Sequence, residues 1–302
     1  MPDFIILYVR SLIGLILDVG PWLGLGFLVA GIVQEFIPAR ILLRYFGENN
    51  WKAVARASLA GLAVSVCSCG AIPIAVTLRN KGAATATALT FLLAAPWAGF
   101  IQFFILNGFI GPKNTIIIFI FAILVAFVSG LILSKLEKSG LIEQKLTPDF
   151  VLDKEIGLRA DSPKLFRRIG KSLYYSWDAF KEMAKYLGIG ILLASILKAF
   201  IPTSFIAKYL GVKSSFDPIL IALPVSAAIE LCSEGFSIFT GQLFQMGATL
   251  GVIFVMMMVG VTTDFTELSV IWGKFGKKSA LWYLGTATAV AFIAAHIIDW
   301  LF

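Results

Sequence analysis

Charge is scarce in this chain. Of its 302 residues 14% are Asp, Glu, Lys or Arg, against about 25% in an ordinary soluble domain. Hydrophobic residues make up 59%, above the roughly 45–50% of a soluble globule, and the mean hydropathy is +0.89. A water-soluble globule is thereby excluded. Histidine is nearly absent, and the one present, His296, lies near the chain end, where a structural or interfacial role fits better than catalysis. The three cysteines, Cys67, Cys69 and Cys232, sit in apolar stretches rather than in loops, so the disulfide framework of a secreted domain is not expected. There is no CxxC pair and no Walker A loop, which removes the motifs of a thiol redox enzyme and of a nucleotide-driven pump. The first long apolar stretch runs on to Phe36 without a small-residue cleavage pattern, so no cleavable signal peptide is expected.

What is present is a series of long apolar runs, such as Thr115 to Leu133. A helix needs about 20 such residues to cross a bilayer, and backbone groups in lipid must be satisfied internally. Continuous runs of this kind do not suit the roughly 10-residue alternating strands of a barrel. The fold class is therefore an all-α integral membrane protein. The net charge of +7 comes mostly from basic residues flanking the apolar segments, which is the positive-inside pattern of a membrane protein and gives no reason to expect a nucleic-acid partner.

The chain divides in three. Residues 1–134 form a first membrane repeat, and residues 173–302 a second. Between them, residues 135–172 carry nine Lys or Arg and six Asp or Glu and read as a hydrophilic basic linker on the cytoplasmic side. Its basic amphipathic end, 164–175, suits an anionic membrane face. Leu23 to Gly47 aligns without gaps on Leu187 to Gly211 with eleven identities in 25. One residue further out of step, Cys67, Ser68, Gly70, Leu78, Gly82 and Ala83 fall on Cys232, Ser233, Gly235, Leu243, Gly247 and Ala248. Each half thus holds about four hydrophobic segments. If all four crossed, the basic loop around 40–56 and the basic linker would lie on opposite sides. A re-entrant hairpin at the cysteine segment puts both inside with Lys274, Lys277 and Lys278, and makes the halves inverted repeats, a common transporter plan.

Chemistry concentrates where these segments are interrupted. Gly70, Pro73, Pro96 and Gly235 are candidate helix breaks, since glycine permits unusual dihedrals and proline removes a donor. On an intact helix Cys67 and Cys69 point about 200° apart, but at a break both can meet one ligand. Cys67, Ser68, Cys69 and Gly70, with Cys232 and Ser233 from the second half, form a candidate substrate site. Thiolates there would favour a soft, thiophilic species, and a buried cysteine can equally be a small packing residue. The same alignment sets Val261-Thr262-Thr263-Asp264 against Pro96-Trp97-Ala98-Gly99. Asp264 is then expected inside a span from about Gly247 to Trp272, with Glu267 one turn on. Together with Glu230 and Glu234 they make an acidic group without counterpart in the first half, a candidate proton or ion pathway. Ser226, Thr262 and Thr263 either line a polar path or bridge packed helices. The Met256-Met257-Met258 run is expected to pack, because consecutive residues face different ways.

The Cys67-Ser68-Cys69-Gly70 stretch followed by Pro73, the paired Cys232-Ser233-Glu234-Gly235, the mid-chain linker and the duplicated architecture together resemble the ArsP-like predicted permease family, over nearly the whole chain. The resemblance implies a permease. Members with an assigned activity look like efflux permeases for trivalent organoarsenicals, and the family's vicinal cysteines carry over to Cys67 and Cys69.

The expected function is a secondary transporter in the cytoplasmic membrane, moving a small thiophilic solute through a central site at two interrupted helices, with proton coupling through the acidic group. It is not expected to be an enzyme, and no cofactor is expected. Alternatives are a passive channel for a small solute or anion, a membrane thiol oxidoreductase, and a scaffold subunit docking through the basic linker. The expected partners are a small-molecule or ion substrate and membrane lipid, and a homo-oligomer is compatible with them.

Overall fold

The computed structural model describes residues 43–64, 68–97, 100–143, 170–178, 218–228, 233–245 and 247–302, with the single positions 13, 24, 27, 28, 32, 180, 181 and 184. The regular elements among them are helical, without a strand. A π-helical turn, Leu43–Gly47, leads to α1 (Trp51–Val64), α2 (Ser68–Asn80) and α3 (Thr85–Ala94), which ends in a 3₁₀ turn, Ala95–Trp97, before α4 (Phe100–Lys138). Residues 170–178 are helical. Then come α5 (Pro218–Ala228), α6 (Ser233–Gln245), α7 (Leu250–Thr262), α8 (Phe265–Val270) with a π-helical turn Ile271–Phe275, and α9 (Lys277–Leu301). Gln102–Lys138, Leu250–Phe275 and Lys277–Leu301 are long and apolar enough to cross a membrane. Residues 144–169 of the linker lie outside the described residues.

α4 is two helical segments. Gly111 interrupts it at φ 78°, a conformation open to glycine without steric cost, and Pro112 then opens the longer segment, where a missing N–H matters least.

One spacing recurs along the chain. α2 and α6 begin at Ser68 and Ser233 and end at Asn80 and Gln245, α3 and α7 begin at Thr85 and Leu250, and α4 and α8 begin at Phe100 and Phe265. The turns after α2 and α6 hold Gly82 and Gly247 at positive φ, and Gly111 and Gly276 share that conformation ahead of the long segments. Each pair is 165 residues apart. Even the turn bonds correspond: Gly82 N–H donates to Arg79 O and Ala83 N–H to Leu78 O, as Gly247 N–H does to Phe244 O and Ala248 N–H to Leu243 O.

Hydrogen bonds gather the helix ends into two groups. At one end of the bundle Asn49 Nδ2 donates to Ser134 O and Glu137 Oε2, both at 3.2 Å. Ala84 N–H reaches Phe46 O at 3.1 Å. Glu137 accepts the Thr85 and Ala86 amides of α3 at 3.0 and 2.9 Å, and Arg79 Nη1 donates to Lys274 O. The starts of α1, α3 and α9 therefore meet the finishes of α2 and α4. At the other end Asp299 accepts from Thr249 Oγ1 at 2.7 Å and from the Gly251 amide at 2.6 Å, and the Lys113 ammonium stands 6.0 Å from the Phe302 ring centroid. The 25 residues of α9 separate these groups, about 37 Å at 1.5 Å per residue.

α3 and α7 are buried along their whole lengths and form the centre of the bundle. α1, α3 and α4 pack on one another, and at Gly130 of α4 a Cβ would lie 2.7 Å from Val54 and closer still to Thr90. Small residues at such crossings let backbones approach. Two hydrophobic clusters result, and each joins both halves: Ile72, Leu89 and Leu92 pack with Val270, Phe275 and Tyr283, while Leu106, Ile118 and Val125 pack with Phe236, Phe254 and Ile298. Met256, Met257 and Met258 are all buried in the second cluster, as their packing role required. Outside, Ile116, Ile120, Leu124 and Val128 expose one stripe of α4, and Leu281, Ile293, Ile297 and Trp300 another on α9. Such apolar faces suit lipid rather than water.

Candidate functional site

The helices of the predicted site begin deep in the bundle, about 20 Å along α2 and α6 from their glycine turns. Ser68 is the first residue of α2 and is buried. Cys69 and Gly70 complete its first turn, while Ser233, Glu234 and Gly235 form the first turn of α6. Cys67, Cys232 and Glu230 lie outside the described residues.

The expected breaks at Gly70, Pro73 and Gly235 fall differently. All three positions are inside continuous helix, and the described helix starts just ahead of them, at Ser68 and Ser233. Pro73 is tolerated because its ring meets the carbonyl of Cys69 in the terminal turn, which can tilt aside, and membrane helices accommodate such prolines. Its missing N–H leaves that carbonyl without the usual donor four residues on. Pro96, by contrast, does sit at an interruption, in the 3₁₀ turn closing α3.

Asp264 stands between α7 and α8 rather than within one unbroken helix. Its carboxylate accepts the Thr266 amide at 2.6 Å and caps α8, where the free amides and the helix dipole favour a negative group. Glu267, one turn on, is 0% exposed. One of its oxygens accepts from the Tyr283 hydroxyl of α9, and Oε2 has no partner. Thr262 and Thr263 return their hydroxyls to Met258 O and Val259 O at 2.7 and 2.6 Å, and Ser226 does so to Leu223 O at 2.9 Å. All three hydroxyls serve their own helices.

α8 packs on α2 and the first segment of α4 packs on α6, so each half lays the segment after its interruption along the helix of the other half that opens with Ser68 or Ser233. The structure thus brings Asp264 and Glu267 to the helix that opens with Ser68, Cys69 and Gly70. Among the described residues no cluster of three His, Cys, Asp or Glu could hold a metal ion.

Several polar residues escaped the sequence reading. Trp97 Nε1, both side-chain polar atoms of Gln102 and Asn107 Oδ1 are buried without a partner. At the bundle end Glu143 accepts the Lys278 and Ser279 amides at 3.0 and 2.8 Å and the Ser279 hydroxyl at 2.7 Å. Partial burial pushes its carboxyl up, but these hydrogen bonds outweigh it and hold the carboxyl below the ordinary Glu value. The available signal for Glu137 and Asp299 was position: each is an acid within the last turns of a long apolar helix.

The ArsP_1 family model, described as "Predicted permease", matches residues 8–300. The "UPF0718 protein YcgR" of Bacillus subtilis (strain 168) is 26% identical, covering 95% of this chain and 94% of its own. A Streptococcus mutans protein named "Putative two-component membrane permease complex subunit" is 22% identical over 99% of this chain and 97% of its own. The "UPF0718 protein MJ0584" of Methanocaldococcus jannaschii is 24% identical over 90% and 89%. No solved structure matches.

Proposed function

The chain belongs to the ArsP_1 family of predicted permeases, and from that premise we propose that it is a multi-pass secondary transporter of the cytoplasmic membrane, carrying a small thiophilic solute through a central site where α2 and α6 begin. In this reading the halves are inverted repeats. α1 and α2 form a re-entrant hairpin, in and back at one face, and α3 with the first segment of α4 makes a crossing interrupted at mid-depth. α5 to α8 repeat the plan from the opposite face. The observation that carries it is the separation of the turns that follow α2 and α6: Thr85 is bound to Glu137 at one bundle end and Gly251 to Asp299 at the other. Interrupted helices entering from both faces are how transporters present helix ends to a solute at mid-depth. The end bearing Lys52, Lys135, Lys138, Lys274, Lys277 and Lys278 is the cytoplasmic one by the positive-inside rule.

Soft ligation falls to the thiols of Cys67, Cys69 and Cys232. Asp264 and Glu267, acids inside a candidate span, supply the proton pathway, because acids at such depth are commonly part of one. Glu230 and Glu234 complete it. Reconstituted protein should therefore show solute flux that varies with pH, and Asp264→Asn should flatten that dependence. A pH profile of the variant indistinguishable from wild type would end the proton-coupling part of the reading.

A second reading is favoured by the name of the Streptococcus mutans relative, which calls that protein a complex subunit. This chain would then act with a second membrane component. Affinity purification from a native membrane, followed by mass spectrometry, should return one stoichiometric membrane partner; recovery of the chain alone in repeated purifications would remove this reading.

A further inference from the structure

Gln102 and Glu267 are 165 residues apart, the spacing that relates the starts of α2 and α6, α3 and α7, and α4 and α8. Both are the third residue of the segment that follows an interruption, Phe100 in α4 and Phe265 in α8. Both are buried, at 2% and 0% exposure. Both also lack partners: Gln102 at Nε2 and Oε1, and Glu267 at Oε2. A buried polar group without a partner is costly, so one such residue calls for explanation and two at corresponding positions point to a shared purpose.

Their depths agree to within about one helical turn. The first segment of α4 and α6 run in the same direction toward the Asp299 end, and a Cβ at Gly241 would lie 2.6 Å from the Phe109 ring. Seven residues back along each helix, two turns, Gln102 is level with the first turn of α6. On the other side Arg79 Nη1 bonds Lys274 O, and the same two turns bring Glu267 to the level of Ile72, in the second turn of α2. Gln102 is thus level with the opening of α6, where backbone amides are unpaired by helix geometry, and Glu267 lies about one turn past the opening of α2.

We propose that Gln102 and Glu267 are the two polar walls of the solute site, one from each half, and that the site takes a small solute bearing hydroxyl groups. The proposal rests on the permease reading above. Gln102 offers a donor and an acceptor side by side, and Glu267 Oε2 offers a lone pair, or a proton when the carboxyl is neutral. A hydroxyl both gives and takes a hydrogen bond and satisfies each of these. A bare soft cation leaves the Gln102 amide protons unmatched, and a halide leaves Gln102 Oε1 and an ionised Glu267 Oε2 unmatched. Soft attraction by thiols and hydroxyl recognition by Gln102 and Glu267 are then separate filters on one solute.

Two measurements test this. In protein whose three cysteines are serine, Gln102→Cys should react with a small hydrophilic methanethiosulfonate at least about tenfold faster than Leu106→Cys, a neighbour in the apolar cluster, because only a hydrated pocket admits the reagent. Equal, slow reaction at both positions overturns the proposal. In proteoliposomes of otherwise unaltered protein, Gln102→Leu should lower the flux of methylarsonous acid, a soft centre carrying two hydroxyls, by about tenfold or more, while Cu(I) flux is unchanged and the Tm of the empty protein is equal or higher. Equal loss of both fluxes, or loss of neither, overturns it. Should wild type move neither probe, the transport of soft solutes fails instead, and the labelling rates alone decide whether the polar pocket exists.

Discussion

Gly276 shows how tightly single positions are set here. Its φ of +107° disfavours any side chain, and a Cβ there would collide with the Glu143 carboxyl. Gly276→Ala must strain the backbone and displace the carboxylate that caps α9, together about 1–3 kcal/mol. Gly285→Ala, on the same helix with open space around it, should leave stability equal or slightly higher because alanine is the better helix former. Thermal unfolding in detergent separates the two, and a Gly276→Ala protein as stable as wild type would contradict this account of the turn. At this scale the sequence was legible where a rule of burial applied. An acid at 264 in an apolar run had to find donors, and it found the Thr266 amide. It was not legible where a residue type has two uses. Gly70 and Pro73 read as a break, yet both fit the first turns of a helix that begins at Ser68. Gln102 carries no alarm by type and stands out only as the counterpart of Glu267.

Among the elements, the carboxylate caps do the positioning. Glu137 fixes the start of α3, Asp299 that of α7 and Glu143 that of α9, so three helix N-termini are held by acids from distant parts of the chain, where negative charge is favoured. Glu143 makes this testable through pH. Its carboxyl is held below the ordinary Glu value by the Ser279 and Lys278 hydrogen bonds, which prevail over partial burial. A depressed carboxyl stabilises the fold fully above the unfolded-state value and loses that contribution as pH falls through the lowered folded value. Glu143→Gln should therefore lower Tm at neutral pH, and the gap from wild type should narrow below about pH 4, where Glu protonates in unfolded chains. A gap that widens on acidification would reverse the assignment. Several element boundaries were readable in the sequence, since the interruption at Ala95–Trp97, the turn at Gly82 and the apolar run after Thr115 all recur in the structure. The caps were not, because a capping acid and its amides lie 48 to 136 residues apart and no local pattern joins them.

Across the whole molecule the halves are interleaved rather than side by side. Each hydrophobic cluster takes its hairpin helices from one half and long segments from both. The identities between Leu23–Gly47 and Leu187–Gly211 led to the expectation of two repeats, but interleaving is a property of packing that aligned residues do not encode. Asn80 and Gln245 are exposed, corresponding residues at the C-terminal ends of α2 and α6. With the native cysteines replaced by serine, Asn80→Cys and Gln245→Cys can each be probed in intact cells with a membrane-impermeant maleimide. Halves entering from opposite faces predict that Gln245→Cys labels from outside and Asn80→Cys only after the membrane is opened; labelling of both from one side would contradict it.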